Sequence, residues 1–193
     1  MKDITENEMK FILAILKNPE QELNARSISK LIGITHMGSL KIAKRLEKES
    51  IISSRVIGKA IIYKLNLSSD YVKQYIKFLL QREIEHSSAY TRRWILELKN
   101  IEKADAVILF GSVLRKCEQA NDIDVVIVVK KDNFKKLKKE IEERNIINTK
   151  KIHPIFQTKE DLKRNIKLSD KVILNAIKGI VVLGEENILE VLQ

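Results

Sequence analysis

Two aspartates, Asp122 and Asp124, flank Ile123 at the head of an apolar run over residues 125–129. On a strand, side chains two apart share a face and sit about 7 Å apart along the backbone. Both carboxylates therefore point one way while Ile123 points into a core, and two acids fixed like this can hold one or two divalent cations. Upstream, a second apolar run over residues 106–110 ends at Gly111-Ser112, a turn that can bring backbone N–H groups close to a phosphate. Together these are the parts of metal-assisted phosphoryl or nucleotidyl transfer. Each half alone is commonplace, since Gly-Ser follows many strands and Asp-x-Asp occurs in turns and Ca²⁺ loops. The conjunction of strand, Gly-Ser turn, loop and acid pair on a second strand is far more restrictive.

Phe110-Gly111-Ser112, the loop, and Asp122-Ile123-Asp124 together resemble the minimal nucleotidyltransferases of the DNA polymerase β-like superfamily. The resemblance implies a small mixed sheet, with Asp122 and Asp124 as catalytic and metal-binding carboxylates. It also implies Mg²⁺ or Mn²⁺ and a nucleoside triphosphate as cofactors, with Gly111, Ser112, Arg115 and Lys116 placed to bind the nucleotide. Arg115 and Lys116 could neutralise triphosphate charge or simply face water, and Asn121 can brace the loop through its own backbone. Members that catalyse transfer supply a third carboxylate from a later strand. Here that strand reads Lys150-Lys151-Ile152-His153-Pro154-Ile155-Phe156-Gln157, without an acid. His153 fills the slot, as a ligand for a softer metal, a base near neutral pH, or a surface residue. Pro154 beside it suggests an edge or a strand end. Glu160 and Asp161 follow, and one of them could swing in. Nucleotide–metal binding is expected on these grounds, and turnover is left open.

The 193 residues leave room for one large domain or two small ones, and 44% hydrophobic content supplies cores. No apolar stretch has the length of a membrane helix, and the opening residues 1–6 lack the apolar centre of a signal peptide. The expectation is a cytoplasmic protein with no membrane partner. A single cysteine, Cys117, excludes an internal disulfide or a multi-cysteine zinc cluster, and an incidental loop thiol is its commoner reading. The net charge of +10, with pI near 9.6, favours polyanionic partners. A Lys- and Ile-rich chain can also reflect genome composition or a hot habitat, so placement of the basic residues has to decide.

Met9, Ile12, Leu13, Ile15 and Leu16 make a helical stripe over residues 6–17 that stops at Asn18-Pro19. A short second helix is predicted over 27–32 with Ser27 as its N-cap. After a break at Gly33-Ile34-Thr35, a third is predicted over 36–48 with Leu40, Ile42, Ala43 and Leu46 inward. Two short strands around Gly58-Lys59 then form a hairpin. Over roughly residues 5–67 this pattern resembles a winged helix-turn-helix, which implies double-stranded DNA as partner. Ser39, Lys41, Lys44, Arg45 and Lys48 are read as projecting away from the apolar stripe of the third helix. With Arg55 and Lys59 of the wing they form the expected DNA-contacting set. A merely solvated helix face is the plainer alternative, and His36 is read as a capping or exposed residue.

From residue 68 a long helical stretch is expected to about residue 100. Tyr71, Val72, Tyr75, Ile76 and Leu79, and later Trp94, Ile95, Leu98 and Ile101, recur at three-to-four spacing, and such a stripe must be buried. It can pack on either neighbouring domain or on a second copy of the chain, so a homodimer is one expectation. His86 and Arg92-Arg93 are explained by a solvated helix face. Strands follow over 106–110, 122–129 and 151–156, with helices over 133–145 and from 159 onward, and residues 174–184 resemble the helix and short final strand that close many minimal nucleotidyltransferase domains, with Gly179 suited to a helix C-cap. The predicted fold class is α+β. A winged helix-turn-helix covers 1–67, a helical connector with a role in dimerisation 68–102, and a nucleotidyltransferase-like small mixed sheet 103–193. The function expected is a DNA-binding regulator whose second domain binds a Mg-nucleotide. The alternative is an active enzyme moving a nucleoside monophosphate from a triphosphate to a protein, RNA or small-molecule acceptor. An antitoxin-like interaction module is a third reading, implied by the family resemblance alone.

Overall fold

The computed structural model describes residues 4–193, so the first three of the opening residues 1–6, expected not to form a signal peptide, lie outside the described residues. The chain divides into two compact units between Leu79 and Leu80.

In the first unit, α1 (Glu6–Leu16) is opened by a reciprocal cap in which Thr5 and Glu8 each bond the other's backbone. Helix α2 (Ala25–Ile32) starts two residues earlier than expected. Its N-cap is Asn24, and Ser27 sits at the third helical position and bonds back to the Asn24 N–H at 2.8 Å. Asn caps as well as Ser does, and Ala25 continues the helix without penalty, so the earlier start adds about half a turn. Gly33, at φ +71°, ends α2 in the left-handed conformation. Helix α3 (His36–Lys48) follows, capped by Thr35. Strands β1 (Ile52–Ile57) and β2 (Ala60–Leu65) pair antiparallel around Gly58-Lys59. The backbone at Leu23 and Asn24 also bonds to β2, through Tyr63 N–H and an isolated bridge to Ile62. Three helices followed by a hairpin wing are the winged helix-turn-helix arrangement, closed over Phe11, Ile12, Ile28, Leu46 and Ile51.

The long helix expected from residue 68 is two helices, α4 (Asp70–Glu85) and α5 (Ala89–Lys99). Ser87 and Ser88 cause the break. Ser87 bonds back to the Ile84 carbonyl at 2.7 Å, and Ser88 caps α5 through the Thr91 N–H at 3.1 Å. Arg92 donates to the Glu85 and Ser87 carbonyls, so it closes the end of α4 and is not a mere solvated side chain.

The second unit is built on a four-stranded mixed sheet. The strands are β3 (Ala106–Phe110), β4 (Ile123–Val128), β5 (Ile152–Gln157) and β6 (Ile180–Leu183), in the order β5-β4-β3-β6. Only β4 and β5 run parallel, joined through α7 (Phe134–Ile147), as a parallel pair requires. A short α6 (Val113–Lys116) follows β3, α8 (Lys159–Lys167) and α9 (Lys171–Ile177) lie between β5 and β6, and α10 (Glu185–Leu192) follows β6. Every residue of β3 is buried. Gly179 is not a left-handed helix cap. It is buried, and a Cβ there would collide with the Leu109 carbonyl and Phe110, so it is the close approach to β3 that requires glycine.

Candidate functional site

The register of the sheet brings the chemistry-bearing residues together. Phe110 pairs with Asp124 across β3 and β4, and Asp124 pairs with His153 across β4 and β5, which sets the end of β3 and the acid strand in one row with His153. Asp122 precedes the buried Ile123. One ligand atom from each of Asp122, Asp124 and His153 lies within 4.8 Å of the others. His153 Nδ1 is 3.2 Å from Asp122 Oδ2. Pro154 is tolerated beside it because β5 is an edge strand.

Gly111 has φ +81°, and a Cβ there would strike the Asp124 carboxylate. The turn after β3 therefore lies directly against the acid. Burial raises the pKa of Asp124, the negative charge of Asp122 raises it further, and His153 offsets part of this. A carboxylate held in such a place is relieved by a cation. Two carboxylate oxygens and an imidazole nitrogen are also a donor set that divalent metals accept, so these residues fit a metal ion.

Lys150 anchors the loop that leads into Asp122. Its Nζ donates to the Glu118 and Ala120 carbonyls and lies 5.7 Å from the centre of the Tyr90 ring. No pattern marked this lysine beforehand, because its partners are backbone carbonyls distant in sequence. Within the loop, Cys117 adopts φ 49°, ψ −118°, strained for any residue with a Cβ, and its Sγ is 3.5 Å from Ser88 Oγ. Ser112 makes no capping bond with its side chain. Arg115 and Lys116 are exposed. Asp161 does not swing toward the acid pair. It completes the cap of α8 with Thr158 and pairs with Arg164 at 2.8 Å. These bonds to Thr158 hold its carboxyl below the usual range. Glu160 is likewise held low, chiefly by backbone hydrogen bonding. Both follow the far end of β5, whose last residue, Gln157, is four residues and about 13 Å beyond His153 along the extended strand.

In the first unit, Lys41, Lys44 and Lys48 are exposed along α3, and Lys59 is exposed at the wing turn. Two members of the expected set are placed differently. Ser39 is fully buried, in line with Ala43 and Leu46, because positions 39, 43 and 46 share the inward stripe and a small hydroxyl fits there. Arg45 is half-buried and held by Glu8 at 2.5 Å and Glu49 at 3.0 Å, so its charge is already met within the unit. Arg55 is exposed but pairs with Glu22 at 2.5 Å. Arg26 and His36, with Lys59, line a shallow surface cavity of about 260 Å³ beside Asn24, Leu40 and Tyr63. The pairing of Leu23 and Asn24 with β2 is what gathers them, and it is long-range.

Residues 95–178, which hold the acid pair, the Gly-Ser turn and His153, match the family model described as polymerase beta, nucleotidyltransferase. No curated protein matches the chain. Among solved structures the chain is similar to MepR, a transcription regulator of the Staphylococcus aureus multidrug efflux pump MepA. That match has 15% identity and a TM-score of 0.35, covering 50% of this chain and 76% of the other. A second similar structure is the zinc-dependent MarR-family transcriptional regulator AdcR in its Zn(II)-bound state, at 14% identity and a TM-score of 0.26, covering 51% and 73%.

Proposed function

We propose that this protein is a DNA-binding regulator whose second unit binds a divalent cation and a nucleotide. The observation that carries the reading is the register row joining the Gly111 turn, Asp124 and His153, with Asp122 beside it. It supports a metal-bound triphosphate held by Asp122 and Asp124, with its phosphates toward Gly111 and Ser112 and its outer charge toward Arg115 and Lys116. A bound cation would neutralise phosphate charge and orient the nucleotide. The chain's own residues do the rest. Gly111 lets the turn approach, Lys150 holds the loop, and His153 places its Nδ1 beside Asp122.

Lys41, Lys44, Lys48, Lys59 and Arg26 support DNA as the partner of the first unit, with phosphates as their targets. For a duplex, Lys41→Glu/Lys44→Glu should lower affinity at least about tenfold and reduce the salt slope by about 2, read by fluorescence anisotropy. An unchanged slope would reject α3 as the contacting element. Arg45 is left unmutated because its loss would unpair Glu8.

The intact Gly-Ser and Asp-x-Asp set supports a second reading, transfer of a nucleoside monophosphate to a hydroxylated acceptor. Pyrophosphate release from labelled triphosphates, abolished by Asp122→Ala/Asp124→Ala, would establish turnover. Nucleotide binding without release would favour the regulator alone.

A further inference from the structure

We infer that Asp122, Asp124 and His153 form a site for one first-row transition cation, of the Mn²⁺ or Zn²⁺ class, and not for a pair of Mg²⁺ ions. The inference rests on the metal-site reading above and adds the identity and number of ions. Geometry is the first support. Two cis ligands at bond lengths of about 2.1 Å subtend an edge of about 3.0 Å, and His153 Nδ1 already stands 3.2 Å from Asp122 Oδ2. The third ligand atom, from Asp124, is within 4.8 Å of both, a gap that side-chain rotation closes. Because Asp124 and His153 are paired in a parallel ladder, the backbone needs no rearrangement.

Charge is the second support. In the nucleotide-free chain two carboxylates neutralise one divalent cation and the imidazole adds no charge, so a second dication would stand uncompensated there. Among the described residues no third acid joins the group, and Asp161 is committed to capping α8. Ligand type is the third. Mg²⁺ takes oxygen ligands and gives up its waters reluctantly, whereas imidazole suits Zn²⁺ and its first-row neighbours, with Mn²⁺ intermediate between the two classes. His153 therefore does not merely stand where an acid is missing. It changes which ion the site prefers.

The test is calorimetric titration of the metal-free 193-residue chain with MgCl₂, MnCl₂ and ZnCl₂. One Mn²⁺ or Zn²⁺ per chain is expected, with Zn²⁺ tightest and Mg²⁺ weakest. His153→Ala should weaken Mn²⁺ and Zn²⁺ by at least about tenfold while changing Mg²⁺ less than about threefold. His153→Asp should strengthen Mg²⁺ by at least about tenfold. His153 is exposed, and circular dichroism verifies that each variant is folded. In the unmutated protein, labelled with ¹⁵N at histidine, Zn²⁺ should shift the His153 Nδ1 resonance, and an unmoved resonance overturns the inference. If Asp122→Ala/Asp124→Ala abolishes binding but His153→Ala leaves all three affinities unchanged, the inference fails and the acid-pair site stands. If the double variant also binds as before, the metal-site reading itself fails.

Discussion

Asp124 is held where its charge is least welcome, against the Gly111 turn, beside Asp122 and partly shielded from water. A carboxyl whose folded pKa is raised stabilises the protein fully below its unfolded pKa and loses that contribution as pH rises through the folded value. The metal-free chain should therefore lose part of its stability on going from acid to neutral pH. Asp124→Asn should raise its neutral-pH melting midpoint by about 2 °C and flatten that dependence, while abolishing cation binding. A lowered midpoint would contradict the assignment. Gly111→Ala is predicted to impair cation binding although Gly111 is no ligand, since its methyl group would displace the Asp124 carboxylate. Unchanged affinity in a titration would remove that turn from the site. Cys117→Gly, by contrast, should stabilise the chain by about 1 kcal/mol through relief of backbone strain, measured by urea unfolding.

The elements that carry the site were the most legible from sequence. The apolar run over 106–110 is β3 residue for residue, and β4 and β5 differ from expectation by one residue at most ends, because buried strands leave continuous apolar runs bounded by polar residues. Helix ends read less well. The break at Ser87-Ser88 and the start of α2 at Asn24 turn on side-chain bonds to backbone, and several Ser and Asn residues compete for that role in any such sequence. Lys150 belongs to this scale, since it ties the segment before β5 to the loop before β4. Lys150→Met should weaken cation binding several-fold with little change in the melting midpoint. A fall in the midpoint with affinity retained would make the contact purely structural.

At the scale of the molecule, a winged helix-turn-helix and a nucleotidyltransferase-like unit, proposed above to bind a cation and a nucleotide, share one chain of net charge +10. If the nucleotide regulates DNA binding, its addition with the cation should change duplex affinity at least about fivefold, and Asp122→Ala/Asp124→Ala should remove the effect without altering the nucleotide-free affinity. Equal affinities with and without nucleotide would separate the two activities. No helix among the described residues is long and apolar enough to cross a membrane. Residue types and local spacing alone sufficed for the Asp122–Asp124 pair, the Gly111-Ser112 turn and the succession of three helices, a hairpin and alternating strands and helices, because alternation, helical periodicity and turn chemistry are short-range properties. Strand register was needed to bring His153 beside Asp122 and Asp124, as long-range packing was to bury Ser39, engage Arg45 with Glu8 and gather Arg26, His36 and Lys59. Which residues meet across a sheet or between packed helices depends on how distant segments align, and no local pattern encodes that alignment.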